Sequence, residues 1–345
     1  MSLAKISFEE SLAMRVIDAG KCLGCGACVV ACPFNCLEYK EEKPVLVKPC
    51  QICGICVRAC PQYEWNEPEM QNFVFGKEKS PEEIFGVHYR LVVAQANDEN
   101  ILRVCQDGGV VTALLLTALD EGLIDCAVVA GLKHDHPFYP CPMLAVTPED
   151  ILKSAGTKYS YSPNILTLTE VAKQKKNNVA FVGTPCQIRA IRKMQKAGLK
   201  KYTAPLKFLI GLMCSECFNY EGLMKKHMHE ILGINLSGIQ KINIKGKMLV
   251  STIGDTKTIP LTDIKQYARK NCSFCPDFSS EFADVSAGGL GLEHWTFTVI
   301  RTEQGDRLFS LAERKGAIKT RSATEEMNAI NLLCKLSVKK RQSCA

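Results

Sequence analysis

Cys22-Leu23-Gly24-Cys25-Gly26-Ala27-Cys28-Val29-Val30-Ala31-Cys32-Pro33 is answered further along the chain by Cys50-Gln51-Ile52-Cys53-Gly54-Ile55-Cys56-Val57-Arg58-Ala59-Cys60-Pro61. Both read C-x2-C-x2-C-x3-C-P, the spacing of bacterial ferredoxins, in which three close thiolates hold one [4Fe–4S] cubane and the fourth crosses to the other. That crossing assigns Cys22, Cys25, Cys28 and Cys60 to one cluster. Cys50, Cys53, Cys56 and Cys32 then hold the second. Small residues at Gly24, Gly26 and Gly54 let backbone amides approach the sulfides. Zinc sites pair two C-x2-C units rather than running four cysteines together, so zinc fits this spacing poorly. Cys36, just past the first motif, reads as a core residue.

Working outward, the chain of 345 residues is long enough for this small domain and one larger one with a substantial core. Its 46% apolar and 23% charged residues are those of an ordinary soluble protein. The apolar stretch Val110 to Leu119 is stopped by Asp120 and Glu121, at about half the length of a membrane span. Glu9 and Glu10 precede any long apolar run, which does not read as a signal peptide. Nineteen cysteines in so large a chain, clustered in ligand-like spacings, suit metal ligation in a reducing, cytoplasmic compartment better than a secreted disulfide scaffold. The net charge of +7 is unevenly laid out. Ten basic residues and no acid lie between Val171 and Ser215 (Lys173, Lys175, Lys176, Arg189, Arg192, Lys193, Lys196, Lys200, Lys201 and Lys207). Such a field favours an anionic partner, unless it is simply a solvated helix face. No nucleic-acid motif accompanies it.

The acidic, Pro-punctuated stretch from about Gln62 to Glu83 reads as a linker. The expected organisation is a ferredoxin-like domain over 1–66, a linker over 67–84 and a large domain over 85–345. In the large domain Leu91 to Ala96 predicts a strand. Cys105-Gln106-Asp107-Gly108-Gly109 opens a helix, Val110 to Glu121, closed by Gly122. Paired glycines at a helix start bring backbone amides to an anion, or make an ordinary turn. Strands are expected at Asp125 to Ala130, Asn178 to Gly183 and Leu206 to Met213. Between the last two, Thr184 as N-cap and Pro185 at the first position start a helix that runs to Ala197. A helix over Glu221 to Leu232 and antiparallel strands at Ile239 to Ile244 and Met248 to Ile253 follow. Cys186 and Cys214 thus sit at the carboxyl ends of successive strands, where open α/β sheets place their sites. With Cys272-Ser273-Phe274-Cys275 they could build a third metal site, in which Cys217 competes with Cys214. Cys105, Cys126, Cys141, Cys334 and Cys344 stand alone and read as packing residues.

Five ordered stretches, CQDGGVVTALLLTALDEGLIDCAVVAG, SAGTKYSYSP, VAFVGTPCQIRAIRKM, GLMCSEC and ARKNCSFCPDFSSEFADVSAG, resemble the beta-subunit family of coenzyme F420-reducing hydrogenase and F420-dependent formate dehydrogenase. The likeness runs from about Phe85 to Leu311. Members with a two-cluster ferredoxin in front include the F420H2 dehydrogenase input subunit of methanogens and related archaea, whose length this chain matches. The resemblance implies an α/β (α+β) flavoprotein domain behind a bacterial-type 2x[4Fe–4S] ferredoxin domain. It implies FAD lying along Gly108, Gly109 and Thr112 and along Gly156, Thr157, Lys158 and Tyr159. A third [4Fe–4S] cluster falls to Cys186, Cys214, Cys272 and Cys275; Cys217 and the Gly288-Gly289 pair depart from the family pattern.

Carried over, the activity is oxidation of reduced coenzyme F420, with hydride passing to FAD and single electrons leaving through three clusters. No side-chain acid or base is required. The electrons would go to partner subunits of a larger complex, such as a membrane-bound dehydrogenase, which would hold the chain in the cytoplasm or on the inner face of the membrane. The run Lys173 to Lys207 would suit the phosphate and glutamate tail of the substrate. Two alternatives are the chlorophyll-reducing branch of the same family and a pure electron-transfer adaptor. The glycine loops argue against the adaptor.

Overall fold

The computed structural model describes residues 6–344. Near the N-terminus two short helices, Ala27–Ala31 and Ile55–Ala59, follow the first two cysteines of each motif and carry the third, Cys28 or Cys56, in their first turn. Each is entered through a left-handed glycine, Gly26 at φ 81° and Gly54 at φ 67°, and left at an extended cysteine, Cys32 or Cys60. Glycine takes that conformation at no steric cost. The antiparallel hairpin β1 (Leu37–Lys40) and β2 (Lys43–Leu46) and the π-type helix Glu9–Ile17 complete the unit.

The stretch expected to be a linker is built differently. Glu67–Phe75 is a helix, capped by the Asn66 side chain, which accepts from the Glu69 amide at 3.1 Å. Glu67 and Glu69 occupy its first turn, at the positive end of the helix dipole. Met70 and Gln71 are buried. Two acidic residues of this stretch, Glu67 and Glu69, are paired with Arg189 and Lys196 of the large domain.

The large domain is organised on an eight-stranded mixed sheet. Its first five strands in chain order are β3 (Arg90–Ala96), β4 (Cys126–Leu132), β5 (Pro140–Ala145), β6 (Val179–Gly183) and β7 (Leu206–Leu212). The chain then leaves to form a separate three-stranded antiparallel sheet, β8 (Ile239–Ile244), β9 (Met248–Thr252) and β10 (Asp255–Ile259), packed with the π-type helix Glu221–Ile231. It returns as β11 (Val285–Gly288), β12 (Thr296–Ile300) and β13 (Ile318–Ser322). The spatial order of the large sheet is β13-β3-β12-β11-β7-β6-β4-β5. The central run β4, β6, β7 and β11 is parallel, and antiparallel strands flank it on both sides.

Period-two alternation sends the strand side chains to two faces. Ala127, Val129, Ala180, Val182 and Ile210 meet the helices Val110–Asp120 and Glu303–Arg314 on one side. Cys126, Val128, Val179, Phe181 and Leu209 meet the helix Pro185–Lys196 on the other. The short Ala27–Ala31 helix packs into this second core, so the ferredoxin segment shares buried surface with the large domain. The strands β5 and β10 to β13 and the last two helices lay outside the sequence expectation. For Glu303–Arg314 the signal was present: Thr302 caps it, and Leu308, Phe309 and Ala312 are buried along one stripe.

Candidate functional site

Five thiols converge at the carboxyl ends of β6 and β7. Cys186, Cys214, Cys217, Cys272 and Cys275 line an open concavity of about 320 Å3 with Leu23, Tyr161, Arg269 and Lys340. Cys186 arrives in the first turn of Pro185–Lys196. The Thr184 hydroxyl does not cap that helix; it lies 3.2 Å from Cys186 Sγ. Cys217 donates its backbone N–H to Cys272 Sγ at 3.4 Å. The Cys217 thiol points at the same sulfur and, with Arg269 and Lys340 nearby, holds the Cys272 thiol down to about 6. Burial pushes Cys186 up to about 11 and Cys275 well above the usual thiol range. Among the described residues no three His, Cys, Asp or Glu side chains close on one point as a single metal ion requires; the thiols ring a cavity instead. Five thiols on one concavity, with Arg269 and Lys340 beside them and only the exposed Glu216 as a carboxylate, suit an anionic iron–sulfur cluster.

Arg269 lies three residues before Cys272 in the ARKNCSFC stretch, whereas Lys340 lies outside every quoted stretch. Arg269 stacks on the Tyr161 ring at 4.1 Å, pairs with Glu42 at 2.6 Å and donates to the Leu23 carbonyl at 3.3 Å. Lys340, on the C-terminal helix Met327–Gln342, donates to the carbonyls of Ser215 and, at 2.8 Å, Cys272. Sequence reasoning missed both, since nothing local distinguishes them from surface bases.

A second concavity, also about 320 Å3, is lined by Cys32, Cys50, Cys53 and Cys56 with Phe8, Phe34 and Leu46. The fold thus brings the last cysteine of the first motif to the first three of the second. Cys50 Sγ accepts amides from Phe8 and Ile52, each at 3.4 Å, and Cys32 Sγ accepts from Cys36 at 3.3 Å. Cys36 itself is buried and lines the same concavity. On the other side Cys22, Cys25, Cys28 and Cys60 are close enough for their charges to act on one another; burial first, then these neighbours, raise Cys25 and Cys28. Cys25 also senses Cys186.

The two loops expected at a flavin lie together. Gln106 accepts from the Thr157 amide at 3.3 Å and donates to the Tyr159 hydroxyl at 3.3 Å. Gly109 is left-handed at φ 72° and leads into Val110–Asp120, whose N-terminus has no side-chain cap. Those first-turn amides, near buried Thr112, are free to meet an anion. Gly108 serves the sheet instead. Its N–H donates to Thr296 Oγ1 at 3.0 Å, and an added Cβ would lie 2.5 Å from the Ala94 carbonyl. Gly109 is also crowded, with a Cβ falling 2.6 Å from Ile101. Lys158 departs from the expectation more clearly. Its buried ammonium donates to the carbonyls of Ser154, Ala155 and Gly156, the last two at 3.0 Å, and closes the chain after Pro148–Lys153. All three acceptors of this ammonium belong to its own chain.

Family models match most of this large domain: the N-terminal part of the coenzyme F420 hydrogenase/dehydrogenase beta subunit over residues 91–169, and its C-terminal part over 176–326. The chain belongs to this family. A 4Fe–4S binding domain model matches residues 15–38. The coenzyme F420 hydrogenase subunit beta of Methanothermobacter thermautotrophicus is 37% identical over 264 residues, 75% of this chain and 93% of that one. An F420H2 dehydrogenase subunit of Methanosarcina mazei is 32% identical over 86% of this chain and 84% of its own. Among solved structures, a chain of the F420-reducing [NiFe] hydrogenase complex from Methanosarcina barkeri superposes with a TM-score of 0.72 and 34% identity, over 77% of this chain and 92% of that chain. The protein is thus an iron–sulfur member of an oxidoreductase family that works with coenzyme F420. Among the described residues no helix is long and apolar enough to cross a membrane.

In this family member the basic run is engaged elsewhere. Lys193 donates to the carbonyls of Cys60 at 2.7 Å and Glu64 at 2.6 Å. Arg189 stacks on Trp65 at 3.7 Å and pairs with Glu67 at 3.3 Å, and Lys196 pairs with Glu69. Arg192 is bound to Asp284 at 2.8 Å. Lys175, Lys200, Lys201 and Lys207 are exposed but lie before or at the starts of β6 and β7, at the opposite edge of the sheet from Cys186 and Cys214. The run receives the ferredoxin segment and does not face the candidate site.

Proposed function

We propose that this protein oxidises reduced coenzyme F420 and passes the electrons singly through iron–sulfur clusters to a partner protein. One observation carries the reading: the five-thiol cavity lies between the Gly156-to-Tyr161 segment and Leu23 of the ferredoxin segment. On one side Tyr161 hydroxyl lies 3.9 Å from Cys186 Sγ, and two residues earlier Tyr159 joins the Gln106 loop. On the other, Leu23 sits between Cys22 and Cys25. Cys28 in turn senses Cys56 of the outer concavity, where Phe34 is 51% exposed. Three thiol sets therefore run in series from the loops to the surface.

The substrate carries two electrons as a hydride and clusters take one at a time, so a bound FAD would supply the conversion. Gly109, Thr112 and the first amides of Val110–Asp120 would hold its phosphates, with Gly156, Thr157 and Tyr159 alongside. Cys186, Cys272, Cys275 and one of Cys214 and Cys217 would hold the inner cluster. Arg269 and Lys340 would balance its charge, and Cys217 N–H donates to the Cys272 sulfur. Cys22, Cys25, Cys28 and Cys60, then Cys32, Cys50, Cys53 and Cys56, would hold the two ferredoxin clusters. The names of the relatives, a hydrogenase subunit and a dehydrogenase subunit, support a partner that accepts the electrons.

Anaerobic protein mixed with reduced coenzyme F420 should show flavin bleaching followed by cluster reduction. Rapid reduction by NADH and none by reduced F420 would sink the reading. Cluster reduction without any flavin would leave the adaptor.

A further inference from the structure

The sulfurs at the candidate cluster sites are not all served alike. Cys32, Cys50 and Cys272 take backbone N–H groups. Among the described residues Cys186 is the one candidate ligand whose sulfur meets side-chain hydroxyls, Thr184 Oγ1 at 3.2 Å and the Tyr161 hydroxyl at 3.9 Å. Both are held by groups behind them. Gln187, 1% exposed, lies in the first turn of Pro185–Lys196. Its Nε2 donates to the Ser162 carbonyl at 2.8 Å and to Thr184 Oγ1 at 3.3 Å, and its Oε1 has no partner. A carbonyl can only accept, so the amide must turn its NH2 toward Ser162, and both its hydrogens are then spent. Thr184 Oγ1 accepts one of them, which leaves its own hydrogen for the Cys186 sulfur. A thiolate bound to iron has no proton and can only accept, so the chain from Gln187 through Thr184 to Cys186 runs one way. An unpartnered buried oxygen is costly, and the arrangement that leaves Gln187 Oε1 so is the one that aims Thr184 at the sulfur. Ser162 is fixed in turn: its hydroxyl donates to Asn164 Oδ1 at 2.6 Å, and Asn164 Nδ2 to the Val182 carbonyl at 2.9 Å. Tyr161 is buried beneath the Arg269 guanidinium, 4.1 Å from its ring.

We propose that Gln187, Thr184 and Tyr161 are positioning residues that raise the reduction potential of the inner cluster, and so make it the point at which single electrons leave the two-electron donor. The inference rests on the cluster assignment proposed above, in which Cys186 is a ligand. One-electron reduction adds negative charge that spreads onto the ligand sulfurs. Hydrogen bonds to those sulfurs stabilise the more negative state.

The test is a redox titration of the anaerobic full chain followed by electron paramagnetic resonance, with the inner cluster read as the signal missing from Cys272→Ser. Thr184→Val removes the hydroxyl but keeps the backbone carbonyl, which receives the Gln187 and Ile188 amides at 2.9 and 3.1 Å and starts the helix. Iron should stay at about twelve per chain. The inner potential should move to more negative values, by on the order of a tenfold change in the electron equilibrium, about 59 mV for one electron. The ferredoxin signals should not move. Thr184→Ser, which restores the hydroxyl, should return the potential, and Tyr161→Phe should shift it in the same direction by less. Gln187→Met, which frees the Thr184 hydroxyl, should give part of the Thr184→Val shift. An unchanged inner potential at full iron content overturns the inference and leaves the cluster in place. So does an equal shift of all three clusters, or a shift in Thr184→Ser as large as in Thr184→Val. If Thr184→Val loses the inner irons, Tyr161→Phe decides alone: a negative shift supports the inference and none overturns it. Twelve irons retained in Cys186→Ala overturn both the inference and the ligand assignment. The expected shifts in a chain that reduced F420 does not reduce support the inference and overturn only the proposed substrate.

Discussion

Asn271 donates through Nδ2 to the Cys22 carbonyl oxygen at 2.6 Å, so the residue beside Cys272 holds the first cysteine of the ferredoxin segment. With Arg269 on Leu23 and Gln62 on the Phe274 carbonyl at 2.8 Å, it fixes the inner cysteine cavity against its neighbour. Both sides of the contact are backbone or short side chains, which leaves little play between the two thiol sets.

Asn271→Ala removes that hydrogen bond without touching a cysteine. A hydrogen bond of this kind is worth about 1 kcal/mol, so thermal stability should fall slightly and iron content should not change. Reduction of the ferredoxin clusters, followed by stopped-flow absorbance, should slow relative to the reduction that precedes it. Equal slowing of both steps would point to a general loosening instead.

Lys193 is expected to act as a docking residue. Lys193→Met leaves the carbonyls of Cys60 and Glu64 without their donor, and about 1–3 kcal/mol of stability should be lost. Limited proteolysis should then release the N-terminal segment by cutting near residues 60 to 80 faster than in the unaltered chain. Unchanged proteolysis together with a raised KM for reduced F420 would return this lysine to substrate binding.

Three cubanes correspond to about twelve irons per chain. Cys272→Ser should lower this to about eight while preserving the spectra of the ferredoxin clusters. Cys217 reaches the Cys272 sulfur through its backbone N–H, which a serine keeps, so Cys217→Ser should keep close to twelve, whereas Cys214→Ser should not. Metal analysis of anaerobically purified variants decides it; the reverse pattern would exchange the roles of the two.

Glu281 lies 4% exposed behind the inner site, paired with Arg341 and 3.9 Å from Lys79. Burial, reinforced by Asp277, pushes its carboxyl up to about 7. The folded state therefore holds a proton between about 4.5 and 7 that the unfolded chain has released. Its contribution is fully present below pH 4.5 and is lost as the pH rises to 7, on the order of a few kcal/mol. Melting temperatures across this range should decline less steeply for Glu281→Gln than for the unaltered chain. Parallel profiles would show that Arg341 keeps the carboxylate ionised throughout.

The cysteine spacing and the strand–helix alternation were legible in the chain, because both are local. Thiolates that hold one cubane must lie a few residues apart, and buried strands read as short apolar runs ending at Thr184 or Cys214. Local pattern also located Gly109 and the cluster of cysteines from Cys186 to Cys275, though not which partners each would meet. Tertiary structure decided the rest. Lys193 and Lys340 are the same residue type, yet one meets the backbone of the ferredoxin segment and the other lines the inner cysteine concavity. Lys158 stands in a loop expected beside a flavin, and its ammonium is taken by three carbonyls of its own chain. A charge has no address in sequence: its role is set by which oppositely charged or polar group lies within a few ångströms, and here those groups come from segments far apart along the chain.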